Sequence, residues 1–336
     1  MTELTELTER PELTGRTRGP RGNSLYGPLA DPSADAGYPA GHPPRVGFFT
    51  DTSVCIGCKA CEVACKEWNA LPVDSPAGPG DPAGPGADGD VLGLTGMSYD
   101  NTGALGASTY RHVAFIEQTV PARTARGVDL GMPGSGPPGA DGDAGDATEV
   151  RWLMSSDVCK HCTHAACLDV CPTGALIRTE HGTVLVQDDI CNGCGYCIPA
   201  CPYGVIDQRK GDGRAFKCTM CQDRLGAGLM PACATACPTE SIQFGPLDEL
   251  RARAAQRVDA LHAAGVSAAR LYGHDPDDGV GGAGAFFLLL DEPEVYGLPP
   301  DPVVTTRDLP SMWRHAAAAA LTVAGTVAAA FLGARR

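Results

Sequence analysis

Sixteen cysteines in a chain of 336 residues, all of them gathered in four quartets, leave this sequence few ways to fold. The quartets are Cys55-x2-Cys58-x2-Cys61-x3-Cys65, Cys159-x2-Cys162-x4-Cys167-x3-Cys171, Cys191-x2-Cys194-x2-Cys197-x3-Cys201 and Cys218-x2-Cys221-x11-Cys233-x3-Cys237. Proline follows the last cysteine of the second, third and fourth, at Pro172, Pro202 and Pro238. No thiol is left over for another role. Disulfide scaffolds are short secreted domains whose cysteines are not bunched in fours. A structural zinc site takes its ligands from two separated pairs, whereas two of these quartets hold three cysteines at two-residue spacing.

The third quartet has the spacing of bacterial cubane ligation, in which three close thiolates hold one cluster and the fourth, before proline, reaches the neighbouring one. A loop with two residues between cysteines wraps three iron corners and leaves backbone N–H groups to point at sulfur. The fourth cysteine is then expected to start a helix leading away from its own cluster, since proline suits a first helical turn. Sixteen thiolates make four 4Fe-4S clusters. Pro172-Thr-Gly-Ala-Leu-Ile177, Pro202-Tyr-Gly-Val-Ile206 and Pro238-Thr-Glu-Ser-Ile242 repeat one pattern of turn and strand, the internal repeat of a two-cluster ferredoxin. His161 and His164 lie inside a quartet, and with four cysteines available per cluster they are expected beside the ligands or exposed.

Composition bounds the rest. Gly 43, Pro 28 and 6% aromatics leave little for a large hydrophobic core, so metal ligation has to supply folding energy and the apo chain is expected not to fold. A formal net charge of -14, with no basic stretch interleaved with aromatics, argues against nucleic acid as a partner. No Gly-rich dinucleotide loop follows a strand, so no catalytic site is expected in this chain.

Residues 1–45 read as a disordered tail, from a Thr-Glu-Leu repeat into Pro, Gly and Ala, with neither a secretory nor a twin-arginine leader. Residues 46–245 form the four-cluster domain, interrupted by Gly/Pro-rich inserts at 74–90 and 131–147. Within it, Thr109 to Val120 alternates as a strand, with Tyr110, His112, Ala114 and Ile116 against Arg111, Val113, Phe115 and Glu117; Glu149 to Ser155 is a second. Strands are also expected at Gly182–Gln187 and Arg214–Lys217, the latter after a turn at Lys210-Gly-Asp-Gly. Residues 246–310 hold a helix and an extended arm. Leu247, Leu250, Ala254, Val258 and Leu261 recur at helical spacing and Gly265 supplies the stop. Ala285–Leu290 is a short buried strand and Leu298–Pro302 the arm. Residues 311–336 form a transmembrane helix: His315 to Ala334 carries no charge over a length that spans a bilayer, with Trp313 at one interface, Arg335 and Arg336 at the other, and His315 interfacial. The alternative for this Ala-rich run is a packing helix on a protein partner. Arg307 and Arg314 on the near side leave the orientation open.

Several stretches together resemble a known family. Cys55-Ile-Gly-Cys-Lys-Ala-Cys-Glu-Val-Ala-Cys-Lys-Glu-Trp-Asn69, the order of the quartets, Lys217-Cys-Thr-Met-Cys-Gln-Asp-Arg224, Gly279-Val-Gly-Gly282, Tyr296-Gly-Leu-Pro299 and the single C-terminal span resemble the iron-sulfur beta subunit of respiratory formate dehydrogenase, over residue 46 to the end apart from the inserts. Cys65 lacks the following proline, a departure from the ferredoxin form. Cys194 stands where nitrate reductase beta subunits have Trp. The fold class implied is α+β, two ferredoxin-like double-cluster modules with short strands and helices plus one C-terminal transmembrane helix.

The resemblance also implies a ligand set. Cys55, Cys58, Cys61 and Cys237 would hold cluster 1; Cys65, Cys218, Cys221 and Cys233 cluster 2; Cys159, Cys162, Cys167 and Cys201 cluster 3; and Cys171, Cys191, Cys194 and Cys197 cluster 4. The outer quartets would make one module, set against a molybdopterin (Mo or W) catalytic alpha subunit, and the inner quartets another, set toward the membrane and a cytochrome b gamma subunit. Electrons from formate would run through this chain to quinone, with the cluster domain on the extracytoplasmic face of the cell membrane. Other expectations stay open: the same wire on another molybdenum or tungsten oxidoreductase or a hydrogenase, a free polyferredoxin, or a zinc-dependent interaction module.

Overall fold

The structure, a computed structural model, describes residues 44–72, 100, 103–121, 148–209, 211–306 and 308–333. The tail before residue 44, the inserts 74–90 and 131–147, and Arg335 and Arg336 lie outside the described residues. The unit that contains the cysteine loops ends at Leu309.

Its centre is a four-stranded sheet in the order β8-β1-β10-β9, built from β1 (Val46–Asp51), β8 (Ile242–Pro246), β9 (Arg270–Tyr272) and β10 (Ala285–Leu289). β1 pairs in parallel with β10, Phe48 opposite Ala285 and Asp51 opposite Leu288, and antiparallel with β8. Both central strands are near-continuous apolar runs, VGFFTD and AFFLL, as strands buried on two faces should be. The period of two then sorts the side chains. Phe49, Phe286 and Leu288 face helix α6 (Leu247–Ala263) and pack with its Leu247, Leu250 and Ala254, Phe49 stacking on Phe286 at 5.3 Å. Phe48 and Ala285 face the other way, into a core shared with Cys61, Cys65, Cys159, Cys218 and Cys233. One side of the sheet therefore carries a helix and the other carries the cysteine loops.

The remaining strands are local. β2 (Arg111–Pro121) and β3 (Thr148–Val158) form an antiparallel ribbon with Arg111 opposite Val158 and Pro121 opposite Thr148. Hairpins β4–β5 (Leu176–Arg178 and Val184–Val186) and β6–β7 (Asp207–Gln208 and Ala215–Phe216) follow the second and third quartets. The expected strands at 109–120, 149–155, 182–187, 214–217 and 285–290 are all present, with ends moved by up to three residues. The helix stop at Gly265 is also present, at φ 86°.

The position of the short helices differs from expectation. Helix α1 (Ala60–Trp68) carries Cys61 and Cys65, but α2 (Ala166–Asp169), α3 (Cys197–Ala200) and α5 (Ala232–Thr235) end before the fourth cysteine of their quartets, while α4 (Gln222–Gly226) follows Cys221. Cys171, Cys201 and Cys237 enter turns, not helices. Proline there fixes φ for a turn, and the turn's N–H groups go to sulfur instead of to a growing helix.

Residues 298–302 have no regular structure, as an arm should. Pro299 O accepts from the Tyr272 hydroxyl at 2.5 Å, and Val304 N–H donates to Gly279 O at 3.2 Å. Separately, α7 (Leu309–Gly333) contains a stretch from Ser311 to Gly333 long and apolar enough to cross a membrane, and no residue of that stretch is buried within the protein. His315 lies in its second turn, its Nδ1 donating to Ser311 O at 2.8 Å.

Candidate metal centres

One backbone device recurs in all four quartets. The residue just before the second cysteine is left-handed: Gly57 at φ 65°, His161 at 45°, Gly193 at 73° and Met220 at 56°. Glycine adopts this without strain, whereas His161 and Met220 hold it at about 1–2 kcal/mol each. Right- and left-handed residues in succession turn their N–H groups into one concavity, the nest that binds anions and the sulfurs of Fe–S sites. Donors reach sulfur here: Ala215 N–H to Cys191 Sγ at 3.4 Å and Met220 N–H to Cys218 Sγ at 3.3 Å. The Cys-Pro turns add more. At Cys171 the upward push of burial is outweighed by N–H groups of Leu176, Thr173 and Ala175 and by the Thr173 hydroxyl, and its thiol falls below the ordinary range.

The thiols fall into electrostatic groups. Burial pushes Cys55 up, with Cys61 and Cys237 adding to it. Burial likewise raises Cys65, reinforced by Cys218, Cys233 and Cys221. Cys162 is raised by burial and by Cys159, Cys167 and Cys201. Cys197 is pushed up to about 11 by burial, with Cys191, Cys194 and Cys171 contributing. Three electrostatic influences run between groups. Cys61 feels Cys233, Cys218 feels Cys159, and Cys167 feels Cys197. The groups therefore form a row. Cys58, in the first quartet, and Cys194, in the last group, are the exposed thiols; the other fourteen are buried or half-buried.

These groups suit a cage better than a single ion. Among the described residues no three His, Cys, Asp or Glu side chains converge on one point as a mononuclear site requires. A cubane spreads its four ligands over separate corners, and Cys159, Cys162, Cys167 and Cys201 all line one enclosed cavity with His161, Lys160, Lys217 and Tyr203. His161 is buried beside those thiols, its Nδ1 accepting from Val184 N–H at 3.0 Å; burial and the cations Lys217, Arg45, Arg178 and Arg111 hold its imidazole well below the usual range. His164 is half-buried against Gly281.

Several groups facing sulfur are not evident in the sequence. Asn69 donates to Cys65 O at 2.8 Å and lies 3.7 Å from its sulfur. Ser156 Oγ is 3.2 Å from Cys61 Sγ, and Arg111 is buried beside both. Lys217 donates to Val184 O and Cys218 O. The motif Lys217–Arg224 also clasps α1: the Trp68 indole donates to Asp223 at 2.8 Å, and Arg224 stacks over the Trp68 ring at 4.3 Å. Gly279-Val-Gly-Gly282 has a similar purpose, since Gly282 O and Val280 O accept from Thr163 and His164 N–H in the second quartet's loop.

Thiols gathered over such nests, on a scaffold of short hairpins, define a ferredoxin-type iron-sulfur protein. The 4Fe-4S dicluster domain profile matches residues 150–247. The nitrate-inducible formate dehydrogenase iron-sulfur subunit of Escherichia coli is 35% identical over 276 residues, 81% of the present sequence and 78% of that protein. The formate dehydrogenase iron-sulfur subunit of Haemophilus influenzae is 36% identical over 267 residues, 78% of the present sequence and 71% of that protein. A subunit of the anaerobic dimethyl sulfoxide reductase of Escherichia coli is 32% identical over 207 residues, 62% of the present sequence and 76% of that subunit. The protein belongs to the family of formate dehydrogenase iron-sulfur subunits, and it is an electron-transfer subunit.

Proposed function

We propose that this protein carries electrons, one at a time, from formate oxidised on a molybdopterin catalytic subunit to a membrane cytochrome b and on to quinone. The observation that carries the reading is the pair of exposed thiols, Cys58 and Cys194, among otherwise buried or half-buried ones, since these two would belong to the first and last clusters of the row. A one-dimensional path needs an entry and an exit near the surface and a dry interior between them. Supporting it, the formate dehydrogenase relatives match 78–82% of the sequence while the dimethyl sulfoxide reductase subunit matches 62%.

Four 4Fe-4S clusters, when bound, supply one-electron couples within a range of roughly -700 to +450 mV. Cys55, Cys58, Cys61 and Cys237 would hold the first; Cys65, Cys218, Cys221 and Cys233 the second; Cys159, Cys162, Cys167 and Cys201 the third; and Cys171, Cys191, Cys194 and Cys197 the fourth. The residues around them exclude water, and Asn69, Ser156, Thr173 and the nest N–H groups turn donors toward sulfur. The module of the first and fourth quartets faces the catalytic subunit and that of the second and third faces the cytochrome. The helix at 311–333 anchors the protein as a single span, with the cluster domain on the extracytoplasmic face.

The test is to purify the protein with its bound partners from detergent-solubilised membranes and add formate anaerobically. Bleaching of the visible sulfur-to-iron absorbance by formate, and not by hydrogen or a reductase's substrate couple, is the expected result. An intact, iron-replete complex that does not respond to formate overturns it and leaves the same wire on another oxidoreductase.

A further inference from the structure

Arg111 is the first residue of β2 and 1% exposed. Its Nη1 donates to Ser156 O at 3.2 Å and Ser156 Oγ at 3.0 Å, and that same Oγ is 3.2 Å from Cys61 Sγ. Its carbon stem lies in the core and its guanidinium lies over the Phe48 ring at 4.8 Å. Nε and Nη2 are buried without a partner. Among the described residues no carboxylate pairs with it. A fully buried, unpaired guanidinium is among the costliest groups a fold can contain, so something must balance it. The thiols Cys233, Cys61, Cys218 and Cys65 favour its charge, and the same four share a core with the Phe48 ring that it covers.

Those four thiols come from two groups of the row, Cys61 from the first, Cys65, Cys218 and Cys233 from the second. We propose that Arg111 is a counter-cation shared by the first two clusters, its unpartnered N–H groups directed at their sulfurs, where it favours the reduced form of both. Taking up one electron adds one negative charge to a cluster, with no proton moved and no bond made or broken. A fixed cation beside it stabilises that added charge by Coulomb attraction in a medium of low dielectric. Being shared, it acts on two potentials at once. The inference rests on the cluster reading above.

The experiment is an EPR-monitored redox titration of the purified holo complex, wild type against Arg111→Met and Arg111→Lys, with iron content measured on each. In Arg111→Met two of the midpoint potentials are expected to fall together while the others stay in place, and in Arg111→Lys most of that fall is expected to be recovered. Unshifted potentials in an iron-replete Arg111→Met complex overturn the inference, as does an equal fall in every potential, which marks a general change of structure. If Arg111→Met does not take up its iron, Arg111→Gln decides, because it removes the charge and keeps a side chain that can hydrogen-bond Ser156. Two potentials falling together support the shared cation, and an unchanged set in iron-replete Arg111→Gln overturns it. Failure of the underlying cluster reading is distinguishable, since it shows as absent iron-sulfur signals in the wild type.

Discussion

Alanine at three left-handed glycines separates backbone strain from packing. Gly57, Gly193 and Gly204 have φ of 65°, 73° and 62°, so each substitution carries the same conformational cost of about 1–2 kcal/mol. Their surroundings differ. A Cβ at Gly204 meets nothing within 4 Å, at Gly57 it lies 2.6 Å from Phe115 Cε1 and 2.7 Å from Met154 Sδ, and at Gly193 it lies 2.5 Å from the backbone oxygen of Gly213. Side chains at Gly57 can give way, adding about 1–3 kcal/mol of overpacking. The Gly213 carbonyl cannot, because it sits in the turn before β7 and accepts from Gln208 Nε2 at 3.0 Å. The expected order of damage is Gly204→Ala at about 1–2, Gly57→Ala at about 2–5, and Gly193→Ala at or above the top of that range in kcal/mol. The assay is chelator-driven bleaching of the iron-replete complex, in which each 1.4 kcal/mol changes the population of an opened loop about tenfold. Equal bleaching rates for Gly204→Ala and Gly193→Ala would refute the steric part of the reasoning. A harmless Gly204→Ala would refute the backbone part.

Lys217→Met removes the donor shared by the carbonyls of Val184 and Cys218, and two buried acceptors left unsatisfied at about 1–3 kcal/mol each should lower the thermal midpoint by several degrees. Burial holds the His274 imidazole below the usual histidine value of 6.5, so the folded protein stays neutral there while the unfolded form takes up a proton. Its contribution to stability is complete above pH 6.5 and is lost as pH falls below it, and thermal melts of His274→Gln should show a shallower loss on the acid side. In a briefly chelated sample, alkylation followed by mass spectrometry should mark Cys58 and Cys194 before the buried thiols.

What the sequence made legible was the local part of the site. Quartet spacing is a property of a dozen consecutive residues, and it is enough to imply the clusters and the hairpins that follow them. β1 is a different matter. Val46–Asp51 follows a Pro-Pro break that marks only where it begins, and its partner Ala285–Leu289 lies more than two hundred residues on, a parallel pairing that no local pattern encodes. Arg111 shows the second limit. Alternation assigns Arg111, Val113, Phe115 and Glu117 to one face and Tyr110, His112, Ala114 and Ile116 to the other, and a strand with one wet face would leave the arginine in water. Instead Tyr110, Arg111, His112 and Val113 are all buried, because the start of β2 passes between the sheet and the cysteine loops. The helix positions depart from the expectation for a related reason. Proline after cysteine fits a helix start or a turn equally well by φ alone, and only the demand of sulfur for N–H donors decides for the turn.

The distribution of charge ties folding to metal uptake. The protein is acidic, -14 in formal charge, yet among the described residues three cations are no more than 2% exposed: Arg111, Lys160 and Lys217. Lys160 has Asp157 beside it, whereas Arg111 and Lys217 have only backbone and hydroxyl acceptors and the thiols. In the metal-free fold, burial raises Cys61, Cys65, Cys162, Cys218 and Cys233, so those sulfurs stay protonated and neutral, and the cations beside them have nothing to balance them. Ligation reverses both costs at once, because sulfur bound to iron is thiolate. The buried Arg111 and Lys217 depend on that gain, and it also offsets the about 1–2 kcal/mol that left-handed His161 and Met220 each cost. The fold and the clusters therefore form together, and the apo protein should lose the β1–β10 core along with its iron.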